Sequence, residues 1–364
     1  MKEYIACDSH RDYSVFAQVN ENGHVKGPVR VEHDRAEFRK YLRTLPAGSP
    51  VALETTGGWY WLVDELEAAG LEPVLVHALE AKKLMRGHKT DGRDAVRLAV
   101  LLRNGTLPGV WIPNAKLRDL RSLMRTRLAL VAARTRTKNR IVATVHRYGL
   151  QDETRGDLFR GKGRVKLNVY LGSLPEQTRE ASIIEWSLVD ELSAHIADLE
   201  KRIQTRIGRL GWVRLLKTIP GVGEILGATL WLEIGAVDRF PSAAHLASYA
   251  GLVPVVHSSG GKTSLGPTSK ASNHYLRWAF VEAACVVAAL HSKMGDIHAV
   301  RLYQRLRDSK GHARASVALA RHLAESAWWI LSKQQPYREP VPIAVSSSTH
   351  GSARCQSSRS RLWL

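Results

Sequence analysis

Four acidic residues stand where a catalytic sheet would present them. Asp8 ends a first apolar strand pattern, Glu54 follows the buried run Val51-Ala52-Leu53, and Asp91 and Asp94 open a helical stretch three residues apart. Positions three apart on a helix share a face, so the last two act together. Carboxylate oxygens are the ligands that Mg²⁺ or Mn²⁺ requires, and two such ions about 4 Å apart activate a nucleophile and stabilise a leaving oxygen at a phosphodiester. Each acid also has a plainer use. Asp91 and Asp94 suit the positive end of a helix dipole, and Asp8 and Glu54 suit solvated strand ends. As a set of four in a strongly basic chain they point to a metal centre.

The elements that must position these acids are short and regular. β-rich runs at 4 to 8, 14 to 19 and roughly 25 to 32, the last two separated by Asn20-Glu21-Asn22-Gly23, predict an antiparallel meander. A helix at 34 to 44, a buried strand at 51 to 54, a helix at 58 to 69, a strand at 73 to 77 and a helix at 91 to 104 follow. Strands first and alternation afterwards predict a mixed sheet, hence an α/β domain over 1–112. Residues 113–212 are expected to be helical. From about 115 to 148 the chain reads as one long helix dense in Arg and Lys, against the single acid Asp119. Such a helix repels itself unless something anionic lies beside it, which makes Arg121, Arg125, Arg134, Arg136, Lys138 and Arg140 candidate phosphate contacts. Residues 152 to 180 read as an irregular insertion. Apolar residues from Ile184 to Leu210 then recur at a spacing that predicts an antiparallel or intermolecular helical hairpin over 182 to 212. A mostly helical domain covers 213–335, so the fold class is α/β plus all-α. Beyond it, Pro336, Pro340 and Pro342 lead into a serine-rich basic tail, 336–364, that cannot bury a core.

Composition narrows the partners. The 364 residues are 44% hydrophobic and 24% charged, which is ordinary globular usage. Lys and Arg number 53 against 34 Asp and Glu, a formal net charge of +19 that predicts a polyanionic partner. The three cysteines, Cys7, Cys285 and Cys355, are too scattered for a disulfide framework or a thiolate zinc site, and a reducing cytoplasm fits them. The N-terminus opens directly into a strand pattern and no long apolar run occurs, so neither export nor membrane insertion is expected. In the second half, Leu216 to Ala228 reads as a helix, the turn Gly221-Val222-Gly223 and a second helix, similar to a helix-hairpin-helix. The backbone N–H groups of such a turn suit a phosphate without reading sequence. Gly260-Gly261-Lys262-Thr263 imitates the end of a P-loop, but the required first glycine falls at Val256, so ATP use is not expected.

Asp8, the segment Leu53-Glu54-Thr55-Thr56-Gly57-Gly58 and the run Lys89-Thr90-Asp91-Gly92-Arg93-Asp94-Ala95 resemble the motifs of the DEDD transposases of the IS110 insertion-sequence group. The N-terminal domain of that group resembles the Holliday-junction resolvase RuvC, an RNase H-like fold. Tyr249 to Pro254, Ser258-Ser259-Gly260-Gly261, Gly266, Ser269-Lys270, Asn273 and Leu276-Arg277 resemble its C-terminal transposase domain. The resemblance runs from about residue 4 to 335. It departs at Lys270-Ala271-Ser272-Asn273, where the group often has Lys-x-Gly-Asn.

The resemblance implies that Ser259 is a nucleophile, with Asp8, Glu54, Asp91 and Asp94 holding Mg²⁺ or Mn²⁺ on the same phosphate. It implies strand exchange between donor and target DNA through a covalent phosphoserine, guided by a structured non-coding bridge RNA. Gly221, Gly223, Lys262, Lys270, Arg277 and the basic helix are then the expected nucleic-acid contacts. It further implies a homo-oligomer, dimer or tetramer, joined through 182 to 212, in the bacterial cytoplasm at the nucleoid and without membrane association. A RuvC-like metal-dependent, structure-specific endonuclease that forms no covalent intermediate is the alternative, and a non-catalytic basic scaffold is a third reading.

Overall fold

Period-two alternation of apolar residues builds five strands at the N-terminal end of the chain. In a computed structural model the described residues are 2–84, 90–150, 157–259, 261–268 and 272–340. Strands β1 (Glu3–Ser9), β2 (Tyr13–Asn20) and β3 (Val25–Glu32) form the antiparallel meander expected from the polar turns between them. Helix α1 (Arg35–Leu42), strand β4 (Pro50–Glu54), helix α2 (Trp59–Ala68), strand β5 (Glu72–Val76) and helices α3 (Ala78–Leu84) and α4 (Asp91–Arg103) follow. The sheet order is β3-β2-β1-β4-β5, with β4 parallel to both β1 and β5.

Each sheet face has its own cover. Ile5, Cys7, Val51 and Leu53 join Phe16, Phe38, Leu62 and Leu66 in one core, under α1 and α2. Ala6, Ala52 and Val76 join Leu98 and Ala99 of α4 in the other. Asp34 caps α1 through its carboxylate, and buried Glu65 of α2 clips α1 by accepting from Arg35 and Arg39 at 2.7 Å. Gly92 lets the first turn of α4 meet β3, since a Cβ there would stand 2.8 Å from Cγ of Pro28. These elements make a compact unit over Met1–Leu120.

The second unit starts at Arg121. Helix α5 (Ala115–Arg147) runs on into it, followed by α6 (Lys162–Gly172), α7 (Glu176–Ile203), a π-turn at Gln204–Gly208, α8 (Gly211–Leu216) and α9 (Glu224–Ile234). A 3-10 turn at Val237–Arg239, α10 (Ala243–Tyr249), the strands β6 (Pro254–Ser259) and β7 (Lys262–Thr268), and α11 (His274–Leu290), α12 (His298–Lys310) and α13 (His312–Lys333) complete it. Leu216, Leu230, Leu246, Phe280, Tyr303 and Leu319 lie in one continuous core drawn from α8 to α13.

Two sequence expectations change here. Part of the stretch read as an irregular insertion is helical: Leu167 and Leu171 of α6 pack with Ile141 and Val145 of α5 and Val189 of α7. Nor is there a hairpin within 182 to 212, because α7 runs unbroken to Ile203 and its partner within the chain is α5. Arg127 reaches Glu200, Arg134 reaches Ser193 and Arg140 reaches Glu185, a descending order that makes the two helices antiparallel. Among the described residues no helix is long and apolar enough to cross a membrane. Residues 341–364 of the expected tail lie outside those described.

Candidate active site

Strand parity decides where the acids of the first unit point. Residues two apart face the same side, so Asp8 shares the side of Ala6 and Glu54 that of Ala52, the side covered by α4. The parallel register Cys7↔Leu53 puts Asp8 and Glu54 one step further along neighbouring strands. On the same side α4 begins, capped by Thr90, whose hydroxyl accepts from the backbone N–H of Arg93, with Asp91 and Asp94 in its first turn.

The tightest grouping contains a residue the sequence reading did not single out. Single ligand atoms of Asp8, His10 and Asp91 all lie within 4.8 Å of one another. His10 Nε2 stands 3.5 Å from Asp8 Oδ2 and 3.4 Å from Asp91 Oδ2. The imidazole stacks on Tyr13 with ring centroids 4.6 Å apart, and the Tyr13 hydroxyl donates to Asp91 Oδ2 at 2.9 Å. Arg30 covers the Tyr13 ring at 3.7 Å. Partial burial, and then the charges of Asp91 and Asp94, hold the Asp8 carboxyl above the usual range, against the opposing pull of His10. Asp94 is thus near enough to press on Asp8, and it also pairs with Arg97 at 3.5 Å. The closest trio excludes Asp94 and Glu54. Lys89 of the quoted motif lies outside the described residues.

The donor set fits a divalent cation. Carboxylates crowded against one another are stabilised by a positive ion, and Nε2 of His10 is buried without a hydrogen-bond partner. The sequence signal for His10 was available in principle: an imidazole two residues past a strand-ending aspartate, at the edge of the same sheet.

In the second unit Ser259 is the last residue of β6, exposed, and in register with Lys262 across a tight hairpin turn that contains Gly261 at φ +78°. His257 is on the same strand face, packed against Gly266, where a Cβ would come within 2.8 Å of Nε2. Arg277 is half-buried in the first turn of α11, and Lys270 lies outside the described residues.

The stretch read as similar to a helix-hairpin-helix contains α8, the turn Gly221-Val222-Gly223 and α9. Gly221 has φ +81° and sits so close to α11 that a Cβ would lie 2.2 Å from the carbonyl oxygen of Ala283. At the start of α9, Glu224 accepts from Lys217 at 2.5 Å. Beside them opens a cleft of about 480 Å³, lined by Arg209, Arg214, Lys217 and Glu224.

The arginines of α5 divide into two groups. Arg121 is buried, donating to the carbonyls of Leu232 at 2.7 Å and Glu233 at 3.0 Å, and Arg125 makes a two-pronged bond with buried Glu233 at 2.8 and 2.9 Å. Both guanidiniums, expected as phosphate contacts, thus have partners within the chain. Much of the anionic company that α5 needs comes from within the chain. Arg134 is half-buried against Ser193, Lys138 lies 4.7 Å above the Phe159 ring, and Arg140 pairs with Glu185. Arg136 is exposed.

Two segments of the chain match models of known transposases. A transposase model of the DEDD IS110 type matches residues 5–149, and a model described as transposase IS116/IS110/IS902 family matches residues 213–299. A probable family 20 transposase of Pseudomonas aeruginosa is 29% identical over 332 residues, covering 86% of this chain and 95% of its own. A transposase for insertion sequence element IS1111A of Coxiella burnetii is 26% identical over 92% of this chain and 91% of its own. One for element IS1328 of Yersinia enterocolitica is 24% identical over 84% and 90%. With both halves matched in order and relatives aligned along nearly their whole length, the chain belongs to the IS110 group of DEDD transposases.

Proposed function

We propose that this transposase exchanges DNA strands through a covalent phosphoserine. The observation that carries the reading is Ser259, exposed at the tip of the β6–β7 hairpin within the segment matched by the transposase model. Its Oγ attacks the phosphorus of a DNA phosphodiester. The serine O–P bond forms, the bond to the leaving strand breaks, and the leaving oxygen takes up the proton that the serine gives up. A hydroxyl of the partner strand later attacks the phosphoserine and restores a diester. The number of phosphodiester bonds is unchanged, so no ATP is consumed.

Asp8, Glu54, Asp91 and Asp94 are the residues that would hold Mg²⁺ or Mn²⁺. When bound by these residues, such an ion would supply positive charge to a phosphate under attack. The sheet order β3-β2-β1-β4-β5 with acids at strand ends supports a RuvC-like reading of this unit. Arg209, Arg214 and Lys217 of the cleft beside the helix-hairpin-helix, with exposed Arg136, are suited to neutralising nucleic-acid phosphates. Sequence choice is then delegated to pairing of a guide RNA with donor and target, while the protein reads backbone and shape. The active particle is a homo-oligomer.

The decisive experiment incubates the protein with labelled donor DNA and guide RNA and looks for a protein–DNA adduct that survives denaturation. The adduct is expected with the wild type and lost in Ser259→Ala, which keeps DNA and RNA binding. Cleavage with no adduct would favour the endonuclease that uses a metal-activated water, and exchange by Ser259→Ala would overturn the nucleophile assignment.

A further inference from the structure

The imidazole of His10 stands between two carboxylates, within ion-pair range of both, as a donor to a shared metal ion would be placed. A charge-assisted N–H to carboxylate bond closes to about 2.7–2.9 Å. His10 Nε2 instead stands 3.5 Å from one carboxylate oxygen and 3.4 Å from another, buried and without a hydrogen bond. A buried polar nitrogen without a hydrogen bond is costly. Two donors that share one ion at bond lengths of about 2.1 Å and angles of roughly 90–110° lie about 3.0–3.5 Å apart. Both separations fall in that interval. The ring is also held in place, by its stack on Tyr13 at 4.6 Å, and Tyr13 is fixed by its bond to Asp91 and by Arg30 above it. Support of this kind around a ligand is what keeps a metal site shaped.

We propose that His10 ligates the divalent ion through Nε2 and makes this centre favour Mn²⁺ over Mg²⁺. The proposal rests on the reading that the acids of the first unit hold such an ion. Mg²⁺ keeps to oxygen ligands and octahedral geometry, whereas first-row transition ions accept imidazole readily. A purely carboxylate site lacks that bias.

The test uses the full-length chain and Mn²⁺ alone, with electron spin-echo envelope modulation as readout and the free-ion signal giving affinity. The wild type is expected to show the ¹⁴N coupling of a bound imidazole. His10→Ala and His10→Gln are expected to lose the coupling and to bind Mn²⁺ about tenfold more weakly, with Mg²⁺ affinity, measured by competition, changing less than about threefold. Since the first observation is made on the wild type, a variant that folds poorly does not blunt the test. Mn²⁺ bound without nitrogen coupling, or coupling that persists in His10→Ala, overturns the assignment while leaving a carboxylate metal centre standing. No Mn²⁺ bound by the wild type overturns both readings.

Discussion

Glu233 shows how much a single carboxylate organises. It is 1% exposed and is bonded by Arg125 through both oxygens and by Asn273 at 2.9 Å, while Arg121 lies 3.9 Å away. Burial pushes its carboxyl up, and the bonds from Arg125, the charge of Arg121 and the Asn273 amide more than reverse this, leaving it below the ordinary glutamate range. Asn273 also caps α11 with its Oδ1, so the cluster ties α5, α9 and α11 together. Removing the acid strands a buried guanidinium, and Glu233→Ala should cost roughly 3–5 kcal/mol in urea unfolding. The sign of the pH effect follows from the lowered pKa. The contribution is complete above the unfolded glutamate pKa of about 4.3 and is lost as pH falls through the lower folded value. Stability of the wild type should therefore decline below about pH 4 more steeply than that of Glu233→Gln. At the other extreme, burial pushes the Cys7 thiol up to about 12. The native protein should resist alkylation at Cys7 at pH 8, as mass spectrometry of modified peptides would record.

Element by element, what could be read from sequence depended on how local the cause was. The five strands and the helices α1, α2 and α4 follow from alternation, caps and turns that lie within a few residues, and these carry Asp8, Glu54, Asp91 and Asp94. Helix α6 was illegible because Gly161, Gly163 and Gly172 mask it; Leu167 and Leu171 are buried only because α5 and α7 are there to receive them. The fate of the α5 arginines was equally hidden, since Arg125 finds Glu233 108 residues away. His10 escaped because its meaning depends on Asp91, brought close by the packing of α4 on the sheet. Two predictions belong to these elements. Arg136→Ala should leave the fold intact and lower the slope of log binding constant against log salt by about 1. Gly221→Ala should destabilise the protein by at least about 2 kcal/mol, because the new methyl meets a backbone carbonyl and the positive φ is strained. Thermal unfolding would measure it.

Across the whole molecule the proposed reaction asks for two groups that the chain keeps far apart in sequence, the acids in one compact unit and Ser259 in the other. In a homo-oligomer each centre draws both groups from one chain or takes the serine from a neighbour, and inactive variants distinguish the cases by arithmetic. Asp91→Asn and Ser259→Ala should each be inactive alone. When the two are mixed before assembly, about half of any dimers contain one of each. If a centre is shared between chains, every such mixed dimer has one centre carrying both lesions and one carrying neither, so about a quarter of wild-type exchange should return. If each centre is built within one chain, every centre in the mixture carries one lesion and nothing returns. Recovery near a quarter, measured as recombined product under conditions where subunits exchange, is the expected result, because the acids and Ser259 belong to separate compact units of the chain. Zero recovery, with mixed dimers shown to form by mass spectrometry, would place both groups in one chain and remove the need for an oligomer from the chemistry.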